Sequence, residues 1–179
     1  MQKKIIYVDV DDTIAETRRA VLEFYRDMTK DYTTGLATSK EFSYQGMCPK
    51  MTREQIENIF IDLDFFRKLK PIDGAVEGLT YLLNKGYDVR FCTAHKPEGR
   101  LFKDVWLNTY FPMISKVNYV DVYESKKDYR GYAFIDDGVH HLEENQSNIK
   151  ILFDNYDIFS SDDKSIIKIN NWTQIREVL

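Results

Sequence analysis

The sequence predicts an α/β domain: a doubly wound, mainly parallel, Rossmann-like sheet with a small helical cap inserted after its first strand–helix unit. Three observations lead there. Short segments rich in β-branched and aromatic residues alternate with amphipathic stretches, as strands joined by helices on both faces of a parallel sheet do. Two apolar strands empty directly into acidic residues, at Asp9-Val10-Asp11-Asp12 and at Asp136-Asp137. One stretch, from about Asp31 to Lys70, breaks the rhythm and holds no convincing central strand.

The elements follow in order. Ile5–Val10, Tyr87–Cys92, Val117–Val120, Tyr132–Ile135, Ile149–Phe153 and Ile166–Ile169 read as strands. Helical patterns cover Ile14–Met28, Ala75–Leu83, Gly99–Thr109, His140–Asn145 and a closing Trp172–Leu179. Gly86 stands where a helix C′ glycine belongs. The interrupting stretch contains one helix, Thr52–Ile61, opened by the capping box Thr52-x-x-Gln55. Its aromatics Phe42, Tyr44, Phe65 and Phe66 mark it as ordered. Because it follows the first strand–helix unit, it projects from the sheet end that bears Asp9 and is expected to cover it. The domain therefore reads as a core of about 1–30 and 71–179 with a helical cap of about 31–70.

Composition narrows the function. The 179 residues suit one compact domain, with 43% hydrophobic and 14% aromatic residues to build its core. A net charge of −4 argues against a nucleic-acid polymer as partner, since phosphate backbones need clustered Lys and Arg. Small phosphorylated ligands need only a few cations. Two cysteines, Cys48 and Cys92, make no disulfide framework. The first apolar stretch is too short for a secretory signal, and no run approaches the length needed to cross a bilayer. A cytoplasmic protein with no membrane partner is the expectation.

Three carboxylates at the end of a core strand are costly without a cation. The absence of neighbouring His or Cys ligands suits Mg²⁺ better than zinc. Asp136-Asp137 would share that cation. Thr93, after the strand Val89–Cys92, is placed to donate to an oxyanion. Lys126 and Lys127 form the lysine pair just upstream of the Tyr132 strand.

Together these residues resemble the haloacid dehalogenase superfamily of phosphotransferases: Asp9-Val-Asp11-Asp12-Thr13 as its first motif, Thr93 as its second, Lys126 as its third and Asp136-Asp137 as its acidic motif. A narrower resemblance, to the 5′(3′)-deoxyribonucleotidases, rests on Phe65-Phe66 through Leu79, on Asp104-Val-Trp106-Leu107 through Pro112, and on the closing Trp172 helix. Three positions depart from that family: Asp12 where Gly is common, Thr17 where some members carry a base-stacking aromatic, and Ala94 where some carry Ser.

The resemblance implies a Mg²⁺-dependent phosphomonoesterase of 5′-nucleotidase type, acting on pyrimidine deoxyribonucleoside monophosphates. Asp9 would be the nucleophile that becomes an aspartyl-phosphate. Asp11 would be the general acid and base, with a raised pKa. Thr93 and Lys126 would bind the phosphoryl oxygens, and Asp9, Asp11 (by its backbone carbonyl), Asp136 and Asp137 would hold the metal. Phe65 and Phe66 are the candidates for contact with base or ribose. His95 could reach the phosphate, although a surface position is the plainer reading, and Arg18 and Arg19 read as solvated. A homodimer is allowed. Competing readings are a phosphatase of sugar phosphates or phosphoglycolate, and a ligand-binding protein of the same fold without turnover.

Overall fold

The computed structural model describes residues 3–36, 43–122 and 124–179; Phe42 lies outside them. Six strands, β1 (Ile5–Val8), β2 (Asp88–Ala94), β3 (Val117–Val120), β4 (Ala133–Asp136), β5 (Ile149–Phe153) and β6 (Ile166–Ile169), form one sheet in the order β3-β2-β1-β4-β5-β6. Every neighbouring pair is parallel. The order reverses beside β1, so a crevice opens between the ends of β1, β2 and β4, where doubly wound sheets bind ligands.

Period-two alternation sends successive side chains to opposite faces. Ile6, Val8, Val89, Phe91, Ala133 and Ile135 build the larger core. Tyr7, Cys92, Phe134 and Leu152 build the smaller one, with Leu142. Leu142 belongs to α6 (Val139–Glu144), while α4 (Ala75–Asn84), α5 (Arg100–Tyr110) and α7 (Ile175–Val178) supply Leu79, Leu82, Trp106, Leu107 and Ile175 to the larger core. After α4 the chain turns through Gly86 at a φ of +89°, a left-handed conformation that favours glycine. Trp172 stacks on Phe153 at 5.4 Å and donates from Nε1 to the Thr13 carbonyl at 2.9 Å.

The helix expected from Ile14 begins later, as α1 (Thr17–Thr29). The Val10 carbonyl accepts from the N–H groups of Thr13, Ile14 and Ala15, which wraps the chain into a turn and consumes the residues that sequence periodicity assigned to a helix. The insert itself holds a 3₁₀ turn (Tyr44–Met47), α2 (Arg53–Ile59) and α3 (Leu63–Lys68). Thr52 and Gln55 make the reciprocal capping box on α2. The Asp62 side chain caps α3, a helix the sequence pattern does not announce.

Backbone bonds join the chain just before α1 to the chain just after α3. Ile72 N–H donates to the Ile14 carbonyl and Glu16 N–H to the Lys70 carbonyl, with an antiparallel bridge between Ala15 and Pro71. These contacts close a short two-stranded stem. Beyond it, α1 packs with α2, α3 and the 3₁₀ turn. No helix among the described residues is long and apolar enough to cross a membrane.

Candidate active site

At the end of β1, Asp9 N–H donates to the Ile135 carbonyl, which aligns Asp9 with the acidic end of β4. Asp9, Asp136 and Asp137 are all buried, and one carboxylate oxygen from each lies within 4.8 Å of the others. Lys126, 2% exposed, reaches into this cluster and donates to Asp9 at 2.7 Å and to Asp136 at 2.8 Å. Lys127 is exposed, so Lys126 is the lysine that the fold delivers. Asp136 also accepts from Gly138 N–H at 2.8 Å.

Charge is unbalanced there. Burial, reinforced by Asp136 and Asp11 and opposed by Lys126, pushes the Asp9 carboxyl up to about 6. Burial and then the neighbouring Asp12, Asp136 and Asp9 push Asp137 well above the carboxylate range. Lys126 goes the other way: burial alone would depress it, but Asp136 and Asp9 hold it firmly protonated. Three buried carboxylates against one ammonium leave an excess of negative charge on an oxygen-only donor set. That chemistry fits a hard divalent cation.

Asp11 faces elsewhere. Its carboxylate accepts from Thr17 Oγ1 at 2.9 Å, from Lys103 Nζ at 2.5 Å and from Thr93 Oγ1 at 3.5 Å. Lys103 also donates to Thr93 Oγ1 at 3.0 Å and is fully buried. The expected raised pKa of Asp11 is not found. Burial raises it, but the charge and hydrogen bond of Lys103 outweigh burial and hold it below the usual carboxylate value. The Asp11 carboxylate therefore lies outside the Asp9–Asp136–Asp137 cluster.

A cleft of about 520 Å³ opens over this chemistry, lined among others by Asp9, Asp11, Lys126 and Asp137 from the core and by Tyr44 and Phe60 from the cap. The Tyr44 and Phe60 rings pack 5.6 Å apart, tilted by 34°. Phe65 and Phe66, expected to face a base or ribose, are instead 1% and 5% exposed within the main core. Phe65 packs behind Phe60 at 5.4 Å and Phe66 against Phe102 and His95. The cleft aromatics lie earlier in the cap than the sequence suggested.

Other polar residues are also placed differently from expectation. His95 is buried, not on the surface, and lines the cleft. Burial, then Lys103, drives its pKa down to about 3. Arg18 is buried as well; its backbone N–H donates to Asp12 Oδ1 at 2.6 Å and its side chain donates to the Leu36 carbonyl. Across the cleft mouth, Lys96 of the core pairs with Glu57 of the cap at 2.6 Å.

Lys103 is the site residue that the sequence reading missed. A signal existed: Lys103 shares one face of α5 with the buried Trp106 and Leu107, three and four positions on. A charge on an apolar stripe needs a buried partner.

These features define a class: a phosphomonoesterase on the fold of the haloacid dehalogenase-like hydrolases. The chain is similar over 99% of its length to 97% of a conserved haloacid dehalogenase-like protein from Agrobacterium tumefaciens, with a TM-score of 0.68 at 12% identity. It is similar over 100% of its length to 99% of YfnB from Bacillus subtilis in magnesium-bound form, with a TM-score of 0.63 at 13% identity. A phosphoserine phosphatase solved as a phospho-aspartyl intermediate analogue matches with a TM-score of 0.54 at 13% identity, both chains being covered fully. A comparison with curated proteins finds no match. The family model described as 5′ nucleotidase, deoxy (pyrimidine), cytosolic type C protein matches residues 3–179, and the chain belongs to that family.

Proposed function

We propose that this protein is a Mg²⁺-dependent 5′(3′)-deoxyribonucleotidase of the cytoplasm that hydrolyses pyrimidine deoxyribonucleoside monophosphates through a phosphorylated Asp9. The observation that carries this reading is the juxtaposition of two groups in one cleft. Asp9, Asp137 and Lys126, of the cluster that Asp136 completes behind them, line one side of it, and the Tyr44–Phe60 ring pair lines the cap side. A tilted aromatic pair suits a planar base, and a base is what separates a nucleotide from a sugar phosphate or phosphoglycolate.

Asp9, Asp136 and Asp137, with the Asp11 carbonyl, would hold the Mg²⁺. When bound, the ion would offset the repulsion between Asp9 and a phosphate dianion and stabilise the charge that spreads over the transferring group. Asp9 attacks phosphorus in line; the new P–O bond to its carboxylate forms as the ester P–O bond breaks. Lys126, Thr93 and Lys103 donate to the phosphoryl oxygens. As Lys103 turns from Asp11 to the incoming dianion, the force that keeps Asp11 ionised weakens. Asp11 then carries the proton that the departing alkoxide takes up. In the second half-reaction Asp11 accepts a proton from water, water oxygen bonds to phosphorus, and Asp9 is released with inorganic phosphate.

The test is phosphate release, with Mg²⁺ and with chelator, across deoxynucleoside and nucleoside monophosphates, sugar phosphates and phosphoglycolate. Mg²⁺-dependent release from pyrimidine deoxynucleotides, absent in Asp9→Asn, is expected. Turnover of sugar phosphates alone removes the substrate assignment and keeps the chemistry. No release from any ester favours a binding protein.

A further inference from the structure

We propose that Asp12, which does not line the cleft, is a positioning residue that fixes Tyr44 as the wall of the ligand slot and so sets preference for esters bearing a planar ring. The inference rests on the nucleotide reading above.

Asp12 sits at a φ of +53°, a left-handed conformation that glycine adopts freely and Asp or Asn at some cost. Glycine would serve the turn better, so the carboxylate must act elsewhere. It makes two bonds, both to the cap. Oδ1 accepts from Arg18 N–H at 2.6 Å. Arg18 is the second residue of α1, whose own N-cap Glu16 makes no side-chain cap bond; Asp12 supplies the missing anionic cap from across the stem. Oδ2 accepts from the Tyr44 hydroxyl at 3.0 Å. One buried core carboxylate thus pins the cap at its first helix and at its 3₁₀ turn.

Tyr44 packs at the edge of the main core. It is half-buried on a four-residue turn, with Phe60 on one side at 5.6 Å and the Arg18 guanidinium at 5.8 Å. Its hydroxyl bond fixes the end of a long side chain whose ring is the cleft wall. Asp12 touches the cleft through that ring, and its charge also bears on Asp137. Loss of the ring anchor should weaken capture of a ring-bearing ester alone, whereas any effect passed through Asp137 would fall on both kinds of ester alike.

The test is steady-state kinetics with Mg²⁺ for Asp12→Gly, Asp12→Asn, Tyr44→Phe and the Asp12→Gly/Tyr44→Phe double variant, on a pyrimidine deoxynucleoside monophosphate and on glycerol phosphate, which has no ring. Asp12→Gly keeps the backbone conformation, and Asp12→Asn keeps an acceptor oxygen. For the nucleotide, Asp12→Gly and Tyr44→Phe should each raise KM about tenfold, as loss of one partly buried hydrogen bond does. The double variant should lose no more than either single one, and Asp12→Asn should recover most of the loss. Asp12→Gly should leave kcat on both esters, and KM for glycerol phosphate, within about twofold of the native values, a change too small to count as a lost interaction. Equal kcat losses on both substrates would overturn the proposal by placing Asp12 in the nucleophile loop's own geometry, and so would unchanged kinetics. If the native protein turns over glycerol phosphate but no nucleotide, the substrate reading fails separately. The anchoring is then read from amide exchange over residues 44–48. Equal, non-additive acceleration in the two single variants supports it, and unchanged exchange overturns it.

Discussion

Lys103 Nζ stands 2.5 Å from Asp11 Oδ2, and the lysine side chain is 1% exposed where the carboxylate is 21% exposed. The pair joins α5 to the first motif across 92 residues and shares Thr93 Oγ1. A charge so placed can neutralise Asp11 in the empty site or a phosphoryl oxygen in the filled one.

Lys103→Met should therefore cost more than packing. Loss of a preorganised donor to a developing phosphoryl charge lowers kcat/KM by about 10²-fold, and Lys103→Arg should not restore it because the guanidinium fork does not fit a point-charge site. Phosphate-release kinetics check this; a loss below about threefold would assign Lys103 to packing alone.

Lys126 is the countercharge of a buried acidic cluster, with bonds to Asp9 and Asp136. Lys126→Met leaves those carboxylates unpaired and should destabilise the metal-free protein by about 3–5 kcal/mol. Mg²⁺ should then raise Tm by more in the variant than in the native protein, because a ligand of the folded state adds its binding free energy to stability. Thermal unfolding with chelator and with Mg²⁺ measures both.

His95 and His141 give the protein an acid-sensitive limb. Burial drives both folded pKa values down to about 3, from an ordinary 6.5. The unfolded chain thus binds protons first as pH falls. The share of stability these two histidines supply is complete above pH 6.5 and is lost below it toward pH 3, at up to about 1.4 kcal/mol per pH unit for each. Asp9 and Asp137, which burial raises in the folded state, bind protons first there and oppose that loss over part of the same range. Urea denaturation of the native and His141→Gln proteins at several pH values isolates the histidine's share. The variant should lose less stability than the native protein between pH 6.5 and about pH 4, and parallel curves would remove the assignment.

Trp172 ties the closing helix to the first motif through its bond to the Thr13 carbonyl and its stack on Phe153. Trp172→Phe keeps the stack and should cost about 1 kcal/mol for the hydrogen bond. Trp172→Ala should cost about 3–5 kcal/mol through the cavity it leaves. Denaturant midpoints distinguish the two.

The strand ends were readable because each motif is contiguous with an apolar run. Asp9, Thr93 and Asp136 fall at the ends of β1, β2 and β4 as sheet geometry requires. Lys126 was readable only by its place ahead of β4. Lys103 was not read, because a lysine inside an amphipathic helix is ordinarily solvated and its partner lies 92 residues away. The sequence pattern does not announce α3; with Asp62 capping that helix, Phe65 and Phe66 turn into the core and Phe60 lines the cleft. The α1 start was obscured by local chemistry: three N–H groups share the Val10 carbonyl, and periodicity cannot show that.

The short stem at residues 14–16 and 70–72 has an architectural consequence. The polypeptide leaves the sheet and returns to it through one doorway, and α3 is braced a second time against α5, where Phe66 meets Phe102 and Trp106 donates to the Leu69 carbonyl. Side chains on the cap's cleft-facing surface, such as Tyr44 and Phe60, can change for a new ligand without re-threading the six-stranded frame, whereas those that meet α5 are tied to it. Asp9, on the frame side of the doorway and bonded through its N–H to the Ile135 carbonyl, keeps its alignment throughout.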